Sequence, residues 1–337
     1  MHNSGLNNDG SHIKERLATY SLTRKKNIAT ACIDIITPVY NEEQNIPLFY
    51  ERLTKVLKNI GIKYRILFVN DGSQDNSPLL LDHFVEIDPH VGVIHLSRNF
   101  GHQQALFAGL QHSTGECVIF LDSDLQDPPE EIKKMVHLWL EGYDVVYAVR
   151  TKRKEPFAKR LAYKLFYLLL RKISNIEMPL DSGDFSLIDG KAVQYMKQSK
   201  EVDIYLRGLR SWIGFTQIEH LYERGERHAG TSQYSLPRLF KLALSGICGY
   251  SHLPLTLSFY FGIVFAFLSI LYAAYILVLK ILYGIDLRGW TSTVLLITLM
   301  GSIQFMLIGI TNYYIGIILR QVQERPSYIV REKKGNT

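Results

Sequence analysis

Cysteine is scarce in this chain. Its 337 residues include three, Cys32, Cys117 and Cys248, too few and too scattered for a disulfide framework or a zinc site, and their setting fits a reducing compartment. Two phosphate-binding signatures are missing as well. No Walker loop occurs anywhere, and no G-x-G-x-x-G follows the first strand-like run, so neither a P-loop kinase nor a dinucleotide oxidoreductase is supported. Met1 to Thr30 is polar, carries Lys14, Arg16, Arg24, Lys25 and Lys26, and lacks the apolar core of a secretory signal. Residues 1–30 are therefore expected to be a flexible cytosolic tail. The net charge of +6 argues little for nucleic acid, because the basic residues cluster beside apolar segments, as in proteins lying against anionic lipid headgroups.

Formal charge is also missing from two long stretches, Leu253 to Leu279 and Trp290 to Leu319. Each exceeds the roughly 20 residues that span a bilayer as helix, so both are expected to cross. Only Lys280 to Gly289 lies between them, which implies an antiparallel hairpin with both chain termini on one side. Arg238 and Lys241 before the pair, and Arg320, Arg325, Arg331, Lys333 and Lys334 after it, place that side in the cytosol by the positive-inside rule. Two further segments mix basic and apolar residues. In 152–172, Phe157, Leu161, Leu165 and Leu168 recur at helical spacing among Lys159, Arg160, Lys164, Arg171 and Lys172, which reads as an interfacial helix or as a solvated one packed on its own domain. Residues 236–252 read as a juxtamembrane helix, and 320–337 as a cytosolic C-terminal tail.

Residues 31–235 carry the alternation of an α/β domain. The run Ile33 to Thr37 ends at Pro38 and is followed by Tyr40-Asn41-Glu42-Glu43 and a helical pattern with Leu48, Leu53, Val56 and Leu57 on one face. The cycle repeats at Arg65 to Val69 with Asn70-Asp71-Gly72-Ser73, at Val91 to Leu96 with Ser97-Arg98-Asn99, and at Cys117 to Leu121 with Asp122-Ser123-Asp124; Val145 to Val149 closes the series. Apolar strands alternating with amphipathic helices imply a mostly parallel, Rossmann-like sheet covered on both faces, whose ligands bind outside the carboxyl ends of the strands. The polar motifs sit at those ends.

Asp122 and Asp124 stand two residues apart at a strand end, where extended backbone points both side chains to one side. Such a pair can share a hard cation, Mg²⁺ or Mn²⁺, whose remaining ligands come from substrate phosphates, and Gln126 is a further candidate ligand. Asp71 either builds a turn with Gly72 or accepts hydrogen bonds from a nucleoside. Asp184, followed by Phe185, either orients a substrate or shapes a turn. Arg210, Arg224 and Arg227 are candidates for gripping a phosphate, since guanidinium groups match its geometry; each has a plain surface arginine as its alternative.

The motifs Thr37-Pro38-Val39-Tyr40-Asn41-Glu42-Glu43, Val69-Asn70-Asp71-Gly72-Ser73, Ser97-Arg98-Asn99-Phe100-Gly101, Asp122-Ser123-Asp124-Leu125-Gln126-Asp127-Pro128 and Gly183-Asp184-Phe185 together resemble glycosyltransferase family 2. Within it they are similar to the polyisoprenyl-phosphate glycosyltransferases. The resemblance covers nearly everything after Thr30 and implies a GT-A fold followed by a two-helix transmembrane hairpin. It implies a nucleotide-sugar pocket lined by Pro38, Tyr40, Glu42, Asp71 and Asp122, a metal held by Asp122, Asp124 and Gln126, and a catalytic set of Asp122, Asp124 and Asp184. The expected reaction is inverting transfer of a hexose, with UDP-glucose as first choice of donor, to a polyprenyl phosphate such as undecaprenyl phosphate. Arg210, Arg224, Arg227 and Ser232 would meet the acceptor phosphate, the protein would sit in the bacterial inner membrane, and a homotetramer is implied.

Two positions depart from the family pattern. Gln233 stands where a basic residue is usual, and Thr311-Asn312-Tyr313 replaces a segment that usually carries a carboxylate. A processive polysaccharide synthase is opposed by the absence of a Gln-x-x-Arg-Trp motif. A non-catalytic membrane scaffold is opposed by the retained Asp71, Asp122 and Asp124.

Overall fold

A computed structural model describes residues 31–150, 182–202, 204–223, 253–283 and 289–337. The expected tail 1–30, the segment 152–172, the juxtamembrane segment 236–252, Arg224, Arg227, Ser232 and Gln233 lie outside the described residues. Two compact units are present. The first contains the described residues up to Glu223 together with the C-terminal segment from Pro326, and the second contains the two long helices before it.

In the first unit, strand β1 (Cys32–Val39) is buried from Ile33 onward. Ile33 and Ile35 enter one apolar layer and Ile36 the other, as the two-residue period of a strand requires. Parallel partners flank it: β2 (Lys63–Asn70) on one side, with β3 (Val91–Leu96) beyond, and β4 (Cys117–Phe120) on the other. Each crossover is helical. Helix α1 (Ile46–Ile60) starts with a proline in its first turn, packs Ile46, Phe49, Leu53 and Leu57 inward, and stops at Gly61, whose φ of 73° is left-handed, a conformation glycine adopts without steric cost. Helices α2 (Ser77–Ile87) and α4 (Ile132–Leu140) share its layer through Leu81, Phe84, Met135 and Trp139, while α3 (His102–His112) covers the opposite face.

The expected parallel series ends at β5 (Val145–Arg150), but β5 does not lie beside β4. Strand β6 (Ser182–Asp189) inserts between them, antiparallel to both, and β7 (Gln217–Tyr222) adds to β5 in parallel. Among the described residues the sheet order is β7-β5-β6-β4-β1-β2-β3-β8, with α5 (Gly190–Lys197) and α6 (Leu206–Trp212) joining α3 in its layer. The final strand, β8 (Val330–Gly335), runs antiparallel to β3. Residues 330–335, read from sequence as part of a tail, therefore form an edge strand of the sheet. Its charged, half-exposed pattern VREKKG is what an edge tolerates and a core does not.

The second unit holds α7 (Leu253–Tyr283) and α8 (Trp290–Val322). Within α8, Leu299–Val322 is long and apolar enough to cross a membrane. Asn312 is exposed along it.

One buried ion pair holds the amino ends of the central strands. Arg65 on β2 donates to both Asp34 oxygens, at 3.0 and 2.6 Å, and Asp34 also accepts the Thr114 and Gly115 backbone N–H groups at 2.6 and 2.8 Å. Removing one partner of such a pair leaves the other charge uncompensated. Arg65→Met is expected to cost about 3–5 kcal/mol of folding stability, read as a lowered unfolding midpoint, and the double variant Arg65→Met with Asp34→Val is expected to recover much of it. A single variant with an unchanged midpoint would show that the pair contributes little.

Candidate active site

Parallel strands deliver their carboxyl ends to one edge, and four connecting segments meet there. The segment after β1 is clamped to the one after β2 by short polar bonds. The Asn41 N–H donates to Ser73 Oγ at 3.0 Å, Asn41 Oδ1 accepts the Gln74 N–H at 2.8 Å, the Glu42 N–H donates to Ser77 Oγ at 3.0 Å, and Glu43 accepts the Asn76 N–H at 3.0 Å. Pro38 is buried at the end of β1 and its carbonyl accepts from Ser123 Oγ at 3.2 Å, which ties the acidic segment after β4 to the same edge. Tyr40 is exposed on this edge and Glu42 is half-buried, accepting from Asn45 Nδ2 at 2.6 Å.

Asp71 is almost fully buried, and its two carboxylate oxygens accept the Phe100 and Gly101 backbone N–H groups at 2.7 and 3.0 Å. Burial pushes its carboxyl above the ordinary range, against the pull of those two hydrogen bonds. The turn reading and the nucleoside reading of Asp71 are thus not exclusive, because each carboxylate oxygen keeps a second lone pair. Gly72 is fitted to the same contact: its φ of 69° is left-handed and a Cβ there would come within 2.5 Å of the Arg98 backbone.

The acidic centre follows from register. Antiparallel pairing sets Phe120 on β4 opposite Ser186 on β6, and continuing that register two residues places Asp122 opposite Asp184. Asp124 and Asp184 are buried and Asp122 is half-buried. Asp124 Oδ1 accepts the Gln126 N–H at 3.1 Å, across Leu125, whose φ of 61° is unusual for a residue with a branched side chain. Asp127 closes the segment, accepting from the Tyr222 hydroxyl and lying 3.7 Å from Arg150.

His102, the first residue of α3, reaches between the two strands. Its Nε2 lies 3.6 Å from Asp122 Oδ1 and 3.4 Å from Asp184 Oδ2. From α6, Arg207 grips Asp184 with two parallel bonds of 2.8 Å each, the bidentate geometry that guanidinium and carboxylate share. Electrostatics follow this layout. Burial pushes Asp122 up to about 6, with Asp184, Asp127 and Asp124 adding and His102 opposing. Burial works to lower the His102 imidazole, but Asp122 and Asp184 outweigh it and raise it to about 9. Burial would raise Asp184 too, yet Arg207 and His102 hold it well below the usual carboxylate range.

Among the described residues no three His, Cys, Asp or Glu side chains are grouped to hold a metal unaided. Asp122 and Asp124 nevertheless suit a hard divalent cation that draws its remaining ligands from phosphate oxygens and water, and the negative charge of Asp184 and Asp127 beside Asp122, which adds to the effect of its burial, is what such a cation would offset. Gln126 is half-buried, and its backbone N–H is the group that meets Asp124.

Arg210, expected at an acceptor phosphate, is buried instead. Its guanidinium donates to the Gly183 carbonyl at 3.3 Å and lies 5.3 Å from the Tyr147 ring, and burial draws its pKa down to about 10. The arginine that α6 turns toward the acidic edge is Arg207. Neither Arg207 nor His102 is among the residues the sequence reading singles out. His102 directly follows the Ser97-to-Gly101 motif, and that adjacency is the one signal that could have marked it.

The model for glycosyl transferase family 2 matches residues 34–196. The uncharacterized glycosyltransferase YkcC of Bacillus subtilis is 44% identical over 302 residues, covering 89% of this chain and 94% of that protein. Bactoprenol glucosyl transferase of Shigella phage SfX is 36% identical over 303 residues, covering 90% of this chain and 99% of that protein. Among solved structures, mannosyl-3-phosphoglycerate synthase from Rubrobacter xylanophilus is 18% identical and covers 66% of this chain and 73% of its own, with a TM-score of 0.45; a likeness of that size carries no argument about function. Sheet, acidic edge and sequence together define a sugar-transferring enzyme with a GT-A fold. The chain belongs to glycosyltransferase family 2.

The Asp184–Arg207 pair carries a pH signature. A carboxyl whose folded pKa is depressed contributes stability that is fully present above its unfolded value of about 3.9 and is lost as pH falls below it. Arg207→Gln is expected to lower the melting temperature at pH 7 and to flatten its decline as pH falls from about 4 downward, through the depressed folded pKa of Asp184. Parallel decline in variant and parent would exclude that contribution.

Proposed function

We propose that this enzyme transfers a hexose from a nucleoside diphosphate sugar to a polyprenyl phosphate, inverting the anomeric centre, with UDP-glucose and undecaprenyl phosphate as the pair to test first. The observation that carries the reading is the meeting of Asp71, Asp122, Asp124 and Asp184 at one edge of a family 2 sheet. The similarity to a bactoprenol glucosyl transferase over 99% of that protein's length supports the lipid acceptor.

In this reading the loops after β1 and β2, locked to each other through Asn41, Glu42, Glu43 and Ser73, form the nucleoside wall with Pro38, Tyr40 and Asp71. Asp122 and Asp124, with Gln126 near them, would hold Mg²⁺ or Mn²⁺ together with the donor diphosphate. When bound, the metal supplies positive charge to the leaving nucleoside diphosphate. Asp184, fixed on both oxygens by Arg207, is placed to accept sugar hydroxyls and set the ring's orientation. The acceptor is already an anion at pH 7, so its oxygen can attack without a general base, and the protein acts by positioning and charge stabilisation. Arg224, Arg227 and Ser232 remain the proposed contacts to the acceptor phosphate.

The membrane arrangement belongs to the same proposal. Helices α7 and α8 cross the bacterial inner membrane as a hairpin spanning 253–279 and 290–319, both termini are cytosolic, and four copies assemble. A lipid acceptor and basic flanks at Arg320 and Arg325 support this orientation.

The experiment incubates the detergent-purified enzyme with undecaprenyl phosphate, Mn²⁺ or Mg²⁺ and each of several labelled nucleotide sugars. Label is expected in the lipid phase with one donor and not after EDTA. Transfer that persists in EDTA would remove the metal from the account, and the absence of lipid-phase label with every donor would remove the acceptor assignment.

A further inference from the structure

A chain of side chains joins the donor loop to strand β8. It begins at the Ser73 N–H, which donates to Asn70 Oδ1 at 2.9 Å. The Asn70 amide then faces His95 Nδ1 at 2.9 Å, and His95 Nε2 faces Asp82 Oδ1 at 3.0 Å. Lys334 Nζ completes the chain, donating to Asp82 Oδ2 at 2.8 Å.

The directions of these bonds fix one another. Asn70 Oδ1 accepts from a backbone N–H, so its Nδ2 must donate, and His95 Nδ1 must then accept. That leaves the proton of a neutral imidazole on Nε2, aimed at Asp82. Asn70 and His95 are buried, and Asp82 and Lys334 are partly exposed. Partial burial works against the Asp82 charge, but hydrogen bonds from Lys334 and His95 hold its carboxyl below the ordinary range. A polar chain that is buried at Asn70 and His95, with every link satisfied, favours one arrangement, and loss of an end member leaves the rest short of a partner.

The residue just before strand β8 makes a second contact with the same region. The Ser97 N–H donates to the Ile329 carbonyl at 2.9 Å, where β3 gives way to the loop whose Phe100 and Gly101 N–H groups bind Asp71. The two connections approach Asp71 from either side: one ends at Asn70 and Ser73, the other at the start of the Ser97-to-Gly101 loop. The Ser97–Ile329 bond continues the β3–β8 register past the Leu96–Val330 pair, whereas the His95–Asp82–Lys334 chain is a side-chain link that sheet pairing does not require.

We propose that the C-terminal strand is a working part of the donor site, and that Lys334, Asp82 and His95 are positioning residues that set the Asn70-to-Ser73 loop for nucleotide-sugar binding. This rests on the reading of the edge as a nucleotide-sugar pocket. The segment that follows the long apolar helix α8 in the chain thereby conditions donor affinity, while the acidic centre and its chemistry are left as they are.

The test uses the full-length enzyme and steady-state transfer with donor and acceptor varied separately. Lys334→Met keeps the apolar stem and removes the donating charge; Asp82→Asn keeps the shape and removes the acceptor pattern. Each is expected to raise the donor KM about threefold to tenfold, the loss of roughly one hydrogen bond, with kcat and acceptor KM unchanged. The double variant is expected to match the single ones, because the chain breaks once. Arg331→Met, on the same strand but outside the chain, serves as the control and is expected to keep the parent donor KM. Donor KM unchanged in both single variants would overturn the proposal, as would a fall in kcat at constant KM or a rise of equal size in the control. A parent enzyme inactive with every donor would instead speak against the proposed function itself.

Discussion

Like charges crowded at one place constrain everything around them. Asp122, Asp124, Asp127 and Asp184 converge on the carboxyl edge of the sheet, three of them buried and Asp122 half-buried. Carboxylates withdrawn from water stay ionised only where positive charge or hydrogen bonds answer them. The fold provides those answers from separate elements: Arg207 from α6, His102 from the start of α3, Arg150 from β5 and the Tyr222 hydroxyl from β7. Arg207 and His102 hold Asp184 well below the usual carboxylate range, while burial nevertheless leaves Asp122 raised to about 6. An acidic group in that condition is suited to a cationic complex that arrives with the substrate.

Rigidity at the edge comes from side chains bonded to backbone. Asp71 binds the loop after β3, Ser73 and Ser77 bind the loop after β1, and Ser123 binds the end of β1. The loops are thus fixed before any ligand enters, which lowers the ordering cost of binding and holds catalytic groups near their working geometry.

Much of this was legible in the residues. Each parallel strand is an apolar run followed at once by a polar motif, so β1 to β4 and the segments bearing Asp71 and Asp122 could be placed from periodicity alone. The insertion of β6 between β4 and β5 could not, since strand order is decided by long-range pairing that leaves no local pattern. Asp184 was identified through its motif, but its position opposite Asp122 depends on that pairing. Val330–Gly335 was read as a tail because four of its six residues are Arg, Glu or Lys, and an edge strand needs no apolar alternation when its faces are partly solvated. Arg207 and Arg210 are three residues apart on one short helix; which of them meets the acidic edge is settled by packing against β6, and the sequence alone favoured the one that is buried.

In the function proposed above, Asp122 and Asp124 would bind the donor's diphosphate through a divalent cation. The most direct measurement of that binding is calorimetric titration of UDP into the purified enzyme and into Asp124→Ala, each with Mn²⁺ and with EDTA. Binding to the parent enzyme in Mn²⁺, lost both in EDTA and in the variant, is the predicted result; UDP affinity indifferent to the metal and to Asp124 would contradict the account.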